Sequence, residues 1–386
     1  MNREFDDIRP YRQEEIPAAM KRIAASDKFP QLAAFVFPDR EIEEVRRMVA
    51  SLTTIEQFQH EVMNEFNHQV IRRSIDDFSF DGLELIDPHK AYLYVSNHRD
   101  IVLDSSLLQT VLHENQFPTT EITFGANLMQ GQLVIDIGKS NKMFRVERGA
   151  TPKEFYKLSM HLSEYIRQTL QEGRSVWIAQ RNGRTKDGDD RTDQGIIKMF
   201  SMSGTTDQVL SLAELNLLPV SVSYEWEPCD FQKAIERYRK LETGSYQKQP
   251  GEDLRSILSG IEQYKGRVHF AISNPLTETD LEAFHNHTLN EYHQQVAHLM
   301  DQRIWSNYKL WPNNYIALDL LEGQDTHRDN YTEKEKQKFL QRIDQLKILA
   351  GLEIGTTLDW DKLLELFLQI YANPVRNVNS LKQKDS

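Results

Sequence analysis

From Phe78 onward the chain alternates short β-rich runs with longer helical ones, and this alternation constrains its fold more than any other feature. The β-rich runs are 91–96, 121–125, 143–147, 175–179, 219–224 and 268–272. Between them, helical periodicity marks 102–113, 152–171 and 281–300. Strands separated by helices build a sheet with helices on its faces. The expected fold class is therefore α/β, a mixed and mostly parallel sheet covered by helices, with helical additions at both ends of the chain.

The N-terminal addition rests on apolar residues at helical spacing: Ile16/Met20/Ile23, Ile42/Val45/Met48/Val49 and Ile55/Phe58/Val62/Phe66. Thr53 with Glu56 three residues on predicts a capping box at the start of the third helix. After Trp311 and Pro312 the pattern turns helical again over 333–352 and 359–371, and the polar stretch 373–386 reads as a frayed tail. The expected organisation is a helical region over 1–78, an α/β core over 79–304, a helical region over 305–372 and a flexible tail. No internal repeat of 20–50 residues is present.

Composition narrows the function. A formal net charge of −12 over 386 residues opposes a nucleic-acid binder, whose phosphate contacts need a basic surface, so any anion site must be locally basic. The single cysteine, Cys229, cannot form an internal disulfide, which fits a reducing compartment. No run approaches the roughly 18 apolar residues needed to span a bilayer, and Met1 to Arg12 lacks the pattern of a secretory signal. The expected location is the cytoplasm, with peripheral contact at the inner face of a membrane as an extension of it.

The most informative stretch is Val95-Ser96-Asn97-His98-Arg99-Asp100-Ile101-Val102-Leu103-Asp104. It places a histidine where a strand runs into a helix, and active-site groups of α/β folds collect at such strand ends. With a helix starting near Ile101, Asp104 shares a face with Leu107, Leu108 and Val111. A carboxylate in an apolar stripe needs a partner, and His98 at the mouth of the same helix offers one. Asp100 suits the helix N-cap and is the second candidate partner.

This segment resembles the first motif of the glycerol-3-phosphate and 1-acyl-glycerol-3-phosphate acyltransferase family, in which a histidine and an aspartate separated by four residues form the catalytic pair. Here five residues separate them. Inside a regular helix one more residue would swing the carboxylate by about 100°, whereas a loop could absorb it. Three further segments follow in the family's order. Phe144-Arg145-Val146-Glu147-Arg148-Gly149 resembles the second motif, whose arginine holds an acceptor phosphate. The third is matched by Val176 to Lys186, where Arg181 and Asn182 stand in place of the usual proline and glutamate. Leu217-Leu218-Pro219-Val220-Ser221-Val222-Ser223 resembles the fourth, an apolar strand with an internal proline.

The resemblance spans roughly residues 90–225 and implies an O-acyltransferase of phospholipid biosynthesis. It implies His98 as general base oriented by Asp104, and substrate binding by Asn97, Arg145, Arg148, Arg181, Asn182, Gly183, Arg184, Lys186 and Lys198. Acyl-CoA or acyl-carrier protein would be the donor and a phosphorylated glycerol the acceptor, with no cofactor and no metal. The alternatives are a lysophospholipid or other lipid-alcohol acceptor at a membrane surface, and a non-catalytic homologue that binds lipid or acyl carrier. The residues support a basic pocket independently: Arg148, Arg181, Arg184 and Lys186 follow two expected strands in an acidic chain, and guanidinium groups bind phosphate bidentately.

Other signals fall away. Asp187-Gly188-Asp189-Asp190-Arg191-Thr192-Asp193 resembles a calcium loop, but Thr192 occupies the glycine position and Lys198 that of the bidentate glutamate. His285, His287 and His293 lack metal-ligand spacing. Trp305, Trp311, Tyr308 and Tyr315 read as core packing, with contact to an acyl chain as the alternative.

Overall fold

The computed structural model describes residues 5–147, 149 and 151–382. Seven strands form one sheet: β1 (Ile75–Asp81), β2 (Leu93–Ser96), β3 (Glu121–Gly125), β4 (Met143–Val146), β5 (Val176–Ala179), β6 (Leu217–Tyr224) and β7 (Gly266–Ile272). Their order is β1-β7-β6-β2-β5-β3-β4, and only the β6–β7 pair is antiparallel. The α/β class is as expected. The central strands β2 and β6 are buried at every residue, as continuous apolar runs covered on both faces require.

Two apolar layers sandwich the sheet. Leu93 and Val95 of β2 face the helices Pro152–Gln171, Gln194–Ser201 and Leu289–Ser306, packing with Ile166, Ile197 and Val296. Tyr94 faces the other side, with Leu107, Leu108 and Val111 of the helix Leu103–Glu114. Pro219 is tolerated within β6 next to the place where β7 gives out, and its carbonyl accepts from Ser273 N at 3.0 Å.

β1 escapes the sequence pattern. Ile75–Asp81 is an edge strand with three aspartates and a largely exposed face, so its alternation is weak. The sheet therefore begins before residue 78. The first helices pack as a separate apolar cluster around Met20, Val45, Val49 and Phe58. The capping box lies one residue later than expected, with Thr54 accepting from Gln57 N. The stretch 281–300 is two helices, Glu278–Glu282 and Leu289–Ser306, because Thr288 and Glu291 start a new one with their own capping box.

The frayed tail is a correction. The last described helix runs from Trp360 through Lys382, across Pro374. Two of its polar residues turn inward: Asn373 Nδ2 donates to the Asp187 carbonyl at 2.7 Å, and Asn377 is buried beside Val375. Gly188 packs on the same helix so closely that a Cβ there would lie 2.1 Å from the Ile370 carbonyl oxygen. Among the described residues no helix is long and apolar enough to cross a membrane.

Candidate active site

The carboxyl ends of the parallel strands β2, β5, β3 and β4 open into one cavity of about 330 Å³. This is where an open α/β sheet places its ligands. β2 ends at Ser96 and the chain leaves it through Asn97 and His98, with regular helix resuming only at Leu103. Residues 97–102 are loop, so the additional residue before Asp104 is absorbed there. Asp100 Oδ1 accepts from Val102 N and Leu103 N, at 2.9 and 2.8 Å, and so closes the helix start.

His98 Nδ1 and Asp104 Oδ2 are 3.0 Å apart. Asp104, and not Asp100, is thus the partner of the ring. The same oxygen accepts from Arg99 N at 2.6 Å and Asp100 N at 2.9 Å, while Oδ1 accepts from the Tyr224 hydroxyl at 3.0 Å. Two backbone N–H groups and a hydroxyl thus point at a carboxylate that sits in the first turn of a helix. A carboxylate can only accept, so the ring proton sits on Nδ1 and leaves the Nε2 lone pair free for a substrate proton. His98 lines the cavity, with the Trp177 ring edge-on to it at 6.3 Å. Trp177 is itself fixed by its Nε1, which donates to Ser96 Oγ at 3.1 Å.

The cations arrive from different elements. Arg145 lies in β4 and is ion-paired with Glu147 at 2.7 Å. Arg181, Asn182, Gly183, Arg184 and Lys186 come from the loop after β5, and all of them line the cavity. Gly183 has φ +79°, a conformation that favours glycine, and a Cβ there would meet nothing within 4 Å. Arg184 Nη1 is buried and has no hydrogen-bond partner among the described residues. Lys186 pairs with Glu236, but burial outweighs that pull and holds its ammonium below the usual lysine range. Lys248, which sequence reasoning missed, adds a fifth cation next to Asp253, at 2.5 Å. Apolar residues form part of the remaining wall, among them Phe124, Leu128, Phe155, Leu158, Ile178 and Met199, and the carboxylates Glu147, Asp193 and Asp253 line it as well.

Two expected site residues fall elsewhere. Asn97 is fully buried and spends its amide on scaffold: Nδ2 donates to Asp190 Oδ2 and the Val222 carbonyl, and Oδ1 accepts from Val222 N at 2.8 Å. It is a tie between β2 and β6 rather than a cavity group. Lys198 is exposed on the helix Gln194–Ser201 and does not line the cavity, since that helix turns Gly195, Ile196 and Met199 inward instead. Arg148 lies outside the described residues. Among the described residues no group of three or more potential ligands could hold a metal ion.

Comparison with known proteins bears on this geometry. No curated protein matches the chain. A solved structure, described as the 1-acyl-sn-glycerophosphate (LPA) acyltransferase PlsC from Thermotoga maritima, aligns with 75% of this chain and 95% of its own at 15% identity. Its TM-score of 0.35 is too low to place any residue. Residues 77–222 match the family model described as Acyltransferase. That segment runs from β1 into β6 and contains His98, Asp104, Arg145, Arg181, Arg184 and Lys186. The chain therefore carries, over residues 77–222, a segment that matches the acyltransferase family.

Proposed function

We propose that the chain moves a fatty acyl group from an acyl thioester, acyl-CoA or acyl-carrier protein, to a hydroxyl of glycerol 3-phosphate or a related phosphorylated glycerol. The observation that carries this reading is one cavity that joins a histidine, its Nε2 free and its Nδ1 held by a buried carboxylate, to five cations and an apolar wall. His98 Nε2 takes the proton of the acceptor hydroxyl as that oxygen attacks the thioester carbonyl. The tetrahedral intermediate collapses, the C–S bond breaks, and the thiolate leaves with the proton from His98. Asp104 keeps the ring in the required tautomer and stabilises the imidazolium between the two steps.

The cations supply position. Arg145, Arg181, Arg184, Lys186 and Lys248 give the acceptor phosphate bidentate and point-charge partners, and holding the hydroxyl against Nε2 turns a bimolecular encounter into an intramolecular one. Phe124, Leu128, Phe155, Leu158, Ile178 and Met199 would take the acyl chain. A donor-by-acceptor activity screen of wild type against His98→Ala tests the reading. Transfer that requires both substrates and His98 supports it. Thioester loss without acceptor would make the chain a thioesterase, and no turnover at all would leave a lipid- or acyl-carrier-binding homologue.

One observation favours a second acceptor, a lysophospholipid or other lipid alcohol. Phe155, which lines the cavity, is 60% exposed, its neighbour Tyr156 is 57% exposed, and the exposed Lys153 and Lys157 flank them. Aromatic residues among lysines suit an anionic lipid surface. Flotation with phosphatidylglycerol-containing vesicles separates the readings: binding lost in Tyr156→Ser/Lys157→Glu supports a membrane-borne acceptor, and no flotation of wild type supports a soluble one.

A further inference from the structure

The loop Asp187 to Asp193 resembles a cation loop and is not one, and its fourth residue has a different occupation. Asp190 is fully buried and receives donors from both sequence neighbours of His98. Asn97 Nδ2 reaches Oδ2 at 3.1 Å, and Arg99 Nε and Nη2 reach the same oxygen at 2.8 and 2.6 Å. The Tyr308 hydroxyl also donates to Oδ2, and the Thr185 hydroxyl donates to Oδ1. Trp305 Nε1 holds the Asp190 carbonyl at 2.7 Å. Thr185 N in turn donates to the His98 carbonyl at 2.8 Å.

These bonds form a closed circuit. His98 has its own carbonyl and both flanking side chains tied to one loop, and that loop also presents Arg181, Arg184 and Lys186 to the cavity. Its far side rests on the C-terminal region through Tyr308, Trp305, Asn373 and the close approach at Gly188. Arg99 cannot simply swing to another partner, because Glu227 already holds Nη1 at 3.1 Å and is itself paired with Lys233.

We propose that Asp190 is a positioning residue that locks the His98 loop to the cation loop, so that base and phosphate clamp keep a fixed separation, and that the C-terminal helices exist in part to brace it. The proposal rests on His98 as base. An acceptor hydroxyl is presented correctly only if the distance from phosphate site to Nε2 is set in advance, and a displacement of about 1 Å is enough to cost roughly a hundredfold in rate. A residue acting this way touches no substrate, so its loss falls on kcat rather than on KM.

The test uses the full chain and two variants, Asp190→Asn and Tyr308→Phe. The second removes one donor and leaves all charges in place, so it decides the matter if the first does not fold. Circular dichroism establishes folding, and the His98 ring is followed by nitrogen-15 NMR, assigned through loss of its signals in His98→Ala. That readout needs no turnover, so it stands even if the donor-by-acceptor screen finds no activity and the functional reading fails. Folded Asp190→Asn is expected to show displaced or broadened His98 ring signals. With the substrates found in the screen, kcat is expected to fall roughly ten- to a hundredfold with KM of the acceptor within about threefold. Tyr308→Phe should move the same signals less and lower kcat by about two- to fivefold. Unchanged ring signals in a folded variant would overturn the proposal, as would a loss of activity that appears only in acceptor KM.

Discussion

Among the described residues the same histidine–carboxylate–tyrosine arrangement occurs twice, once at the cavity and once in the C-terminal region. Asp104 binds His98 Nδ1 at 3.0 Å, two backbone N–H groups and the Tyr224 hydroxyl. Asp319 binds His327 Nδ1 at 2.9 Å, the His327 backbone N–H through both oxygens and the Tyr331 hydroxyl at 2.8 Å. Both carboxylates are buried, and His98 and His327 side chains are 14% and 20% exposed. Local chemistry therefore does not distinguish them. The surroundings do: His98 opens into a cavity with five cations, whereas His327 and Asp319 do not line that cavity, and the Tyr315 ring covers His327 at 5.6 Å. An oriented histidine becomes a base only where a substrate hydroxyl can be held against it.

Removing each ring in turn breaks the comparison most directly. His98→Ala should lower kcat by about 10²–10⁴-fold with the fold intact, and His327→Ala should leave kcat within twofold. Steady-state rates on both variants, with circular dichroism as control, check this. If His327→Ala lost as much activity as His98→Ala, the assignment of the base would fall. The carboxylates extend the contrast. Asp104→Asn keeps the size but loses the charge that orients the ring, and should cost on the order of 10²-fold in kcat. Asp319→Asn should lower only stability, by about 1–3 kcal/mol, read as a shift in the denaturation midpoint.

Why one arrangement could be read from sequence and the other could not follows from what each depends on. His98 and Asp104 lie close together where a buried strand meets a helix, so the β-rich run 91–96 and the apolar stripe Leu107, Leu108 and Val111 locate them without tertiary knowledge. The sheet was legible for the same reason, since central strands such as Leu93–Ser96 are buried throughout and read as apolar runs. The edge strand Ile75–Asp81 was not, because half of it faces solvent and carries charge. Contacts made across the fold leave no local signal. Tyr224 meets Asp104 from 120 residues away, and Asp190 meets Arg99 from 91. Lys248 stands in a polar turn like any solvated one, and Asn97 looked like a site residue until its amide proved to be spent on Val222 and Asp190. Proximity in sequence also misled at the tail, where Asn373 donates to the Asp187 carbonyl of a distant loop and Asn377 is buried.

The cavity's second distinction is its cations, and Arg184 carries the sharpest expectation because its buried Nη1 has no partner among the described residues. Arg184→Ala should raise KM for a phosphorylated acceptor roughly ten- to a hundredfold and leave kcat at saturating acceptor within about threefold. Varying acceptor concentration at fixed donor measures this. An unchanged KM would remove the phosphate clamp from the mechanism while leaving the base in place.

The finest test sets the two tyrosines against each other. The Tyr224 hydroxyl is the one donor to Asp104 Oδ1 among the described residues, and burial and the Asp104 charge hold it well above the usual tyrosine range, so it stays protonated and donating. Tyr331 is placed likewise on Asp319 Oδ2, its hydroxyl pushed up to about 12 by burial and Asp319. Each Tyr→Phe change removes one hydrogen bond to a buried carboxylate, worth about 1–2 kcal/mol, and should lower stability by a similar amount. Only one should touch turnover. With Tyr224→Phe, Asp104 loses its restraint on the side away from the ring and can rotate, so kcat should fall about fivefold with acceptor KM unchanged. With Tyr331→Phe, kcat should not move. Equal losses of stability with unequal losses of rate would show that the contacts are energetically alike and that the cavity beside His98 makes the difference.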